Sequence, residues 1–166
     1  MMKTLPVLIL FLVLSTVLSA QMYEKSIGVR LGYSNGIYFE KQNNAIESYR
    51  FMIGKRDGGR HFTVMKIEHK YKMEKMSDML SIYYGYGAHI GYVKWNENKN
   101  DTKHGYYWEQ KTGLVLGLDA IFGISYDLTQ YPLSFTFDVK PFFDLLGADG
   151  FKFRPYDYAF GAVYYF

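Results

Sequence analysis

Apolar and polar positions alternate along most of this chain with a period of two. In "KSIGVRLGY", Ile27, Val29, Leu31 and Tyr33 share one parity, and Ser26, Gly28, Arg30 and Gly32 share the other. In "SIYYGYGAHIGY", Ile82, Tyr84, Tyr86, Ala88, Ile90 and Tyr92 alternate with Ser81, Tyr83, Gly85, Gly87, His89 and Gly91. "GLVLGLDAIFGISYD" sets Leu114, Leu116, Leu118, Ala120, Phe122, Ile124 and Tyr126 against Val115, Gly117, Asp119, Ile121, Gly123 and Ser125. "PLSFTFDVK" sets Leu133, Phe135, Phe137 and Val139 against Ser134, Thr136, Asp138 and Lys140. Alternation sustained over such lengths predicts strands, not helices. The nearest approach to a 3.6-residue period, "EHKYKMEKMSDM", is short and uncapped, and reads as a strand end followed by a turn.

The pattern predicts eight strands, near residues 25–34, 36–42, 45–54, 61–72, 79–94, 108–127, 132–141 and 155–166. Turn signals separate them: "SNG", "QNNA", "KRDGGR", "MEKMSD", "WNENKNDTKHG", "TQYP" and "LLGADGFKF". The first twenty residues follow a different rule. A basic start at Lys3, an apolar run from Leu5 and small residues at Ser19 and Ala20 have the layout of a secretory signal peptide. The apolar run is short for a spanning helix, which needs about 20 such residues. Residues 1–20 are therefore expected to be a leader cut after Ala20, and residues 21–166 one domain.

Composition sharpens this picture. The chain has no Cys, so an exported domain of this size rests on no disulfide. A net charge of +3 without a basic run argues against a nucleic-acid partner. Aromatic residues make up 19% of the chain. Alternation alone fits either a membrane barrel or a soluble barrel of the lipocalin kind. Three features favour the membrane. The face opposite the apolar one is rich in glycine (Gly28, Gly32, Gly85, Gly87, Gly91, Gly117, Gly123, Gly161), leaving room for long side chains inside a narrow barrel. Tyr33, Tyr92, Trp95, Trp108, Tyr126, Tyr131 and Tyr164 gather near strand ends, as in an interfacial girdle. Finally, the last strand has Tyr156, Tyr158, Phe160, Ala162, Tyr164 and Phe166 on one face.

That last pattern resembles the C-terminal signature of bacterial outer-membrane barrels, and "GVRLGYSNG", "YYGYGAHIGY", "YPLSFTFDVKP" and "VYYF" are similar to stretches of the small "porin family" barrels of OmpA/OmpX type. The resemblance spans essentially the whole chain after the leader. It implies an all-β fold: an eight-stranded antiparallel transmembrane β-barrel in the outer membrane of a Gram-negative bacterium. It also implies two partners: outer-membrane lipid, and the barrel assembly machinery, which would read the strand ending in Tyr164 and Phe166. It carries no activity, because fold does not determine function. With both termini periplasmic, "QNNA", "MEKMSD" and "TQYP" become periplasmic turns. "SNG", "KRDGGR", "WNENKNDTKHG" and "LLGADGFKF" then lie outside the cell, where the longer loops belong.

Parity and charge propose a lumen set of Arg30, Glu40, Ser48, Arg50, Lys66, Glu68, Ser81, Tyr83, His89, Asp119, Thr136, Asp138 and Lys140. Its charged network is expected to comprise Arg30, Arg50, Lys66, Glu68, His89, Asp119, Asp138 and Lys140, with Arg50 beside Glu68 and Asp119 beside Lys140, because buried charges must be paired. An acyl-transfer or hydrolysis site would need Ser, His and a carboxylate in line. Ser81 lies eight residues along the strand from His89, too far to bond it. His61, His69 and His104 have no metal-ligand spacing, and "WNENKNDTKHG" lacks the order of a calcium loop. No enzyme, metal or cofactor is expected. The expected role is structural or one of interaction, with the outer loops meeting an unidentified surface ligand. A small-solute pore is the alternative, and a lipid A-modifying enzyme stands behind it.

Overall fold

Strand pairing in the computed structural model runs through ten strands: β1 (Lys25–Gly32), β2 (Asn35–Gln42), β3 (Glu47–Arg56), β4 (Gly59–Lys70), β5 (Leu80–Asp101), β6 (Gly105–Asp127), β7 (Leu133–Val139), β8 (Phe142–Leu146), β9 (Lys152–Arg154) and β10 (Tyr158–Tyr165). The structure describes residues 24–70, 79–101, 105–128, 130–146 and 150–166. The expected leader, the "MEKMSD" turn, the tip of the longest loop and the side chain of Trp108 lie outside the described residues.

All pairings are antiparallel, and the sheet closes on itself. β1 pairs β2, β2 pairs β3, β3 pairs β4, β4 pairs β5 and β5 pairs β6; β6 then pairs β7, β7 pairs β10, and β10 returns to β1. Two staves of this ring are interrupted. β7 and β8 are one stave broken at Lys140–Pro141, and both lie against β6. Proline has no N–H for the ladder, but its carbonyl is used, accepting from Ala120 N at 2.9 Å. β9 and β10 form another stave, broken around Pro155. Counted by stave, the wall is an eight-stranded antiparallel barrel, as the alternation predicts.

The ends of the staves depart from the sequence reading. "KRDGGR" contains a two-residue turn: Arg56 pairs with Gly59 across Asp57 and Gly58, whose φ values are 46° and 68°. Asp-Gly is the sequence such a primed hairpin turn selects, since both central residues need positive φ. "WNENKNDTKHG" is not all loop. The β5–β6 ladder continues through it to Asp101 opposite Gly105. Past the predicted strand end at residue 141 the chain likewise stays paired, with Phe142 opposite Arg154, Phe143 opposite Phe153 and Asp144 opposite Lys152. The polar residues of the first extension carry no apolar parity that would mark it as strand, and Pro141 is the breaker at which the seventh predicted strand ends.

Burial alternates with the strands. Ile53, Phe62, Ile90, Leu118, Phe122, Phe135 and Phe160, spread over six staves, are all exposed on the outer face. The inner face holds an apolar cluster of Met65, Ile67, Tyr83 and Ile121, and a second of Tyr38, Met52 and Val163. Glycines make this filling sterically feasible. A Cβ on Gly28 would overlap the Tyr38 ring, and one on Gly123 the Tyr83 ring. Each aromatic ring occupies the space that a side chain at the neighbouring glycine would take. Gly123→Val is therefore expected to displace Tyr83 and destabilise the barrel by about 1–3 kcal/mol, the usual range for overpacking. The denaturant midpoint of refolded protein measures this, and an unchanged midpoint would mean that the ring has room to move.

Candidate functional site: the lumen charge network

Inward parity along β1, β3, β5, β6, β7 and β8 places charged side chains where the wall excludes water, so each must find a partner. Arg30 on β1 is 1% exposed. Its guanidinium reaches Asp138 at 2.8 Å and Asp157 at 3.0 Å, and also donates to the Ser34 carbonyl at 2.7 Å and the Asp157 carbonyl at 2.8 Å. Asp157 sits at the break between β9 and β10, where it also accepts from Ser34 N at 3.1 Å and from Ser34 Oγ. Lys140, at the break after β7, lies 2.6 Å from Asp119 and 3.5 Å from Asp157. Asp119 meets His89 Nδ1 at 2.6 Å, and His89 Nε2 meets Asp144 at 2.9 Å. Asp144 closes the chain on Arg56 at 3.0 Å. Both breaks in the wall thus supply members of the network.

The result is a continuous run, Arg56–Asp144–His89–Asp119–Lys140–Asp157–Arg30–Asp138. A carboxylate faces each ring nitrogen of His89, and only the doubly protonated imidazolium donates to both. In that form four bases balance four acids. Phe142 lies under the network, with Arg56 3.7 Å and Lys140 5.3 Å from its ring centroid. Tyr83 joins this run to the other half of the lumen by donating to Asp138 at 3.1 Å.

That other half, toward the chain termini, is organised around Glu40. Arg50 donates to it at 2.7 Å, Ser48 Oγ donates at 2.6 Å, and His69 Nε2 lies at 2.7 Å. The Arg50 guanidinium lies over Tyr38 at 4.2 Å and is 5.0 Å from the Tyr83 ring centroid. A cavity of about 40 Å³ opens beside this group, lined by Glu40, Arg50, His69, Ser81, Asp127 and Tyr165 among others. It is large enough for a few waters.

Of the residues the sequence proposed for the network, Arg30, Arg50, His89, Asp119, Asp138 and Lys140 are buried and paired inside the barrel, and Asp119 does sit beside Lys140. Lys66 and Glu68 do not belong to it. On β4 the buried parity is His61, Thr63, Met65 and Ile67, which turns Lys66 and Glu68 outward. Lys66 pairs outside with Glu47 at 2.6 Å, and Glu68 accepts from Tyr84 at 2.6 Å. Arg50 consequently pairs with Glu40 and not with Glu68. The sequence reading left Arg56, Asp144 and Asp157 out of the network. Arg56 was findable, being two residues beyond Gly54 on an established inward parity. Asp157 was findable as well, on the inward parity of Ala159 and Val163, and Asp144 continues the even inward parity of Ser134–Lys140 past Pro141, where the predicted strand ends.

The catalytic alternative has specific geometric requirements. His89 has carboxylates on both nitrogens, and Ser81 lines the cavity with Glu40, away from it. Ser48 does approach His69 Nε2, at 3.0 Å, but Glu40 occupies the same nitrogen. A nucleophile, base and orienter in line would need the carboxylate on the other ring nitrogen. Among the described residues, no group of three or more His, Asp or Glu side chains is arranged to hold a metal ion. Tyr164 and Phe166 lie together at the end of the last stave, with ring centroids 6.3 Å apart, and Phe166 N donates to the Lys25 carbonyl at 2.9 Å.

No family model matches the chain, and no curated protein matches it. Among solved structures, the chain is similar to the N-terminal β-barrel domain of Pseudomonas aeruginosa OprF, at 13% sequence identity and a TM-score of 0.49, over 88% of this chain and 100% of that one.

Proposed function

We propose that this chain is an integral outer-membrane barrel whose lumen is closed by its own side chains, with a structural or surface-interaction role served by the hairpins β5–β6 and β8–β9. The observation that carries this reading is the inversion of the usual arrangement. Large apolar side chains such as Leu118, Phe122 and Phe160 face outward, while Arg30, Lys140, Asp119 and Asp157 are buried within. Soluble monomers rarely expose contiguous apolar patches beyond a few hundred Å². In lipid the same belt is matched by its surroundings, and closure leaves no backbone edge unpaired.

Two measurements on one preparation test this. After export, the protein is expected in the outer-membrane fraction and to migrate faster unboiled than boiled on a denaturing gel. Recovery as a soluble periplasmic protein would refute it. In planar bilayers the protein is expected to show no steady porin-sized conductance, because an eight-stranded interior is just wide enough for its own side chains. A large, stable, ion-selective conductance would replace the plugged-lumen reading with the pore. Lipid A altered on expression would replace it with the enzyme.

A further inference from the structure

The outer face carries a cluster of cations at the rim where β3 turns into β4. Lys55 and Arg60 are direct cross-strand partners, and Arg60 lies opposite Tyr92 on β5. Lys94 follows on the same face of β5, and its N–H donates to the Asp57 carbonyl at 3.2 Å, tying it to the turn. All three side chains are exposed, and among the described residues none of them pairs with a carboxylate. The acid of the turn is engaged by other residues: Asp57 accepts from Tyr33 at 2.5 Å and has Lys152 at 3.6 Å and Arg154 at 3.9 Å. The opposite rim differs, since Lys66 there has Glu47 at 2.6 Å.

The apolar belt begins immediately below these cations. Ile53 and Phe62 occupy the next outward positions below Lys55 and Arg60, and Ile90 follows Tyr92 on β5 opposite Phe62; they are 59%, 42% and 48% exposed. Two residues along a strand is about 7 Å, so the cations stand at headgroup height above the acyl region. Unpaired like charges packed together repel one another, and an anion between them removes that cost. An arginine fork fits phosphate oxygens, with lysine ammonium groups as flanking point charges.

We propose that Lys55, Arg60 and Lys94 form a binding site for the phosphates of a phosphorylated lipid headgroup, whose acyl chains lie against Ile53, Phe62 and Ile90. Three cations on adjacent strands match a headgroup with more than one phosphate, and the apolar belt beneath selects a lipid over free phosphate. With the termini periplasmic, this rim faces the outer leaflet, so the ligand class is a phosphorylated glycolipid of the lipid A kind. The inference rests on the membrane reading above, and its test separates the two.

Unmodified protein and the triple variant Lys55→Gln/Arg60→Gln/Lys94→Gln are refolded into zwitterionic phosphatidylcholine vesicles, with and without bisphosphoryl lipid A. The gel shift reports folding, and lipid A carried through mild detergent extraction reports binding. Both proteins are expected to fold in phosphatidylcholine alone. The variant is expected to retain lipid A about tenfold less or weaker still, and dephosphorylated lipid A is expected to be lost from both. Lys25→Gln/Lys41→Gln, at the opposite rim, is expected to leave retention unchanged. Equal retention by the triple variant, or equal retention of the dephosphorylated lipid, would overturn the site while leaving the membrane barrel intact. Failure of both proteins to fold in any vesicle would overturn the barrel reading and the site with it.

Discussion

Replacing Arg30 by Met is expected to destabilise the barrel by about 3–5 kcal/mol, the cost of removing one partner from a buried ion pair. Methionine fills much of the vacated volume, so the loss is electrostatic more than steric. Two carboxylates lose their shared base at once. Asp138 keeps the Tyr83 hydroxyl, and Asp157 keeps Ser34 and a distant Lys140 at 3.5 Å. The side chain also ties three staves together, since it sits on β1, reaches Asp138 on β7 and reaches Asp157 beside β10. Urea unfolding of protein refolded in vesicles measures the effect. A double variant, Arg30→Met with Asp138→Leu, is expected to lose less than the sum of the two single changes, because the second removes a charge the first has orphaned. A loss below about 1 kcal/mol for the single variant would mean that lumen water solvates the survivors as well as Arg30 does, in the manner of an exposed pair.

The parts of this structure visible in the sequence are those governed by a period of two. From β5 to β7 and along β10, one parity is apolar and the other holds glycine, hydroxyls and charge, and burial follows that division. The glycine content of the inner parity was also informative, since Tyr38, Tyr83, Thr136 and His89 each stand where a Cβ on a neighbouring glycine would be. The reading failed where parity lost its meaning. On β4, "HFTVMKIEH" has apolar residues on both faces, and charge alone suggested that Lys66 and Glu68 point inward. Inside, that level of the lumen is an apolar plug of Met65, Ile67, Tyr83 and Ile121. Outside, the strand approaches the rim, where Glu47 and Tyr84 meet the two charges in a polar setting. A charged residue near a strand end therefore says little about which face it occupies. Asp144 was missed because Pro141 was read as the end of a strand, although the buried even parity of Ser134–Lys140 runs on to Phe142 and Asp144; Asp157 stands on the same buried parity as Ala159 and Val163.

Replacing Phe122 by Arg is expected to cost about 2–4 kcal/mol, the penalty for an arginine on the lipid face at the bilayer midplane. Phe122 is 60% exposed on the outer face of β6. It stands between Tyr84 on β5 and Val139 on β7, well inside the stave that ends at Asp127. In water such a change would replace an exposed ring by a soluble cation and cost nothing or help. In lipid the guanidinium must reach a headgroup along the wall or draw water inward, and both are costly. The comparison that isolates depth is Thr112→Arg. Thr112 is also exposed on β6, paired with Lys94, but beyond the apolar belt. There the same side chain is expected to cost only about 0–1 kcal/mol. Unfolding free energies of both variants in phosphatidylcholine vesicles give the difference directly. Equal effects at the two positions would mean that no depth-dependent medium surrounds β6, and the outward belt would then have to be covered by protein.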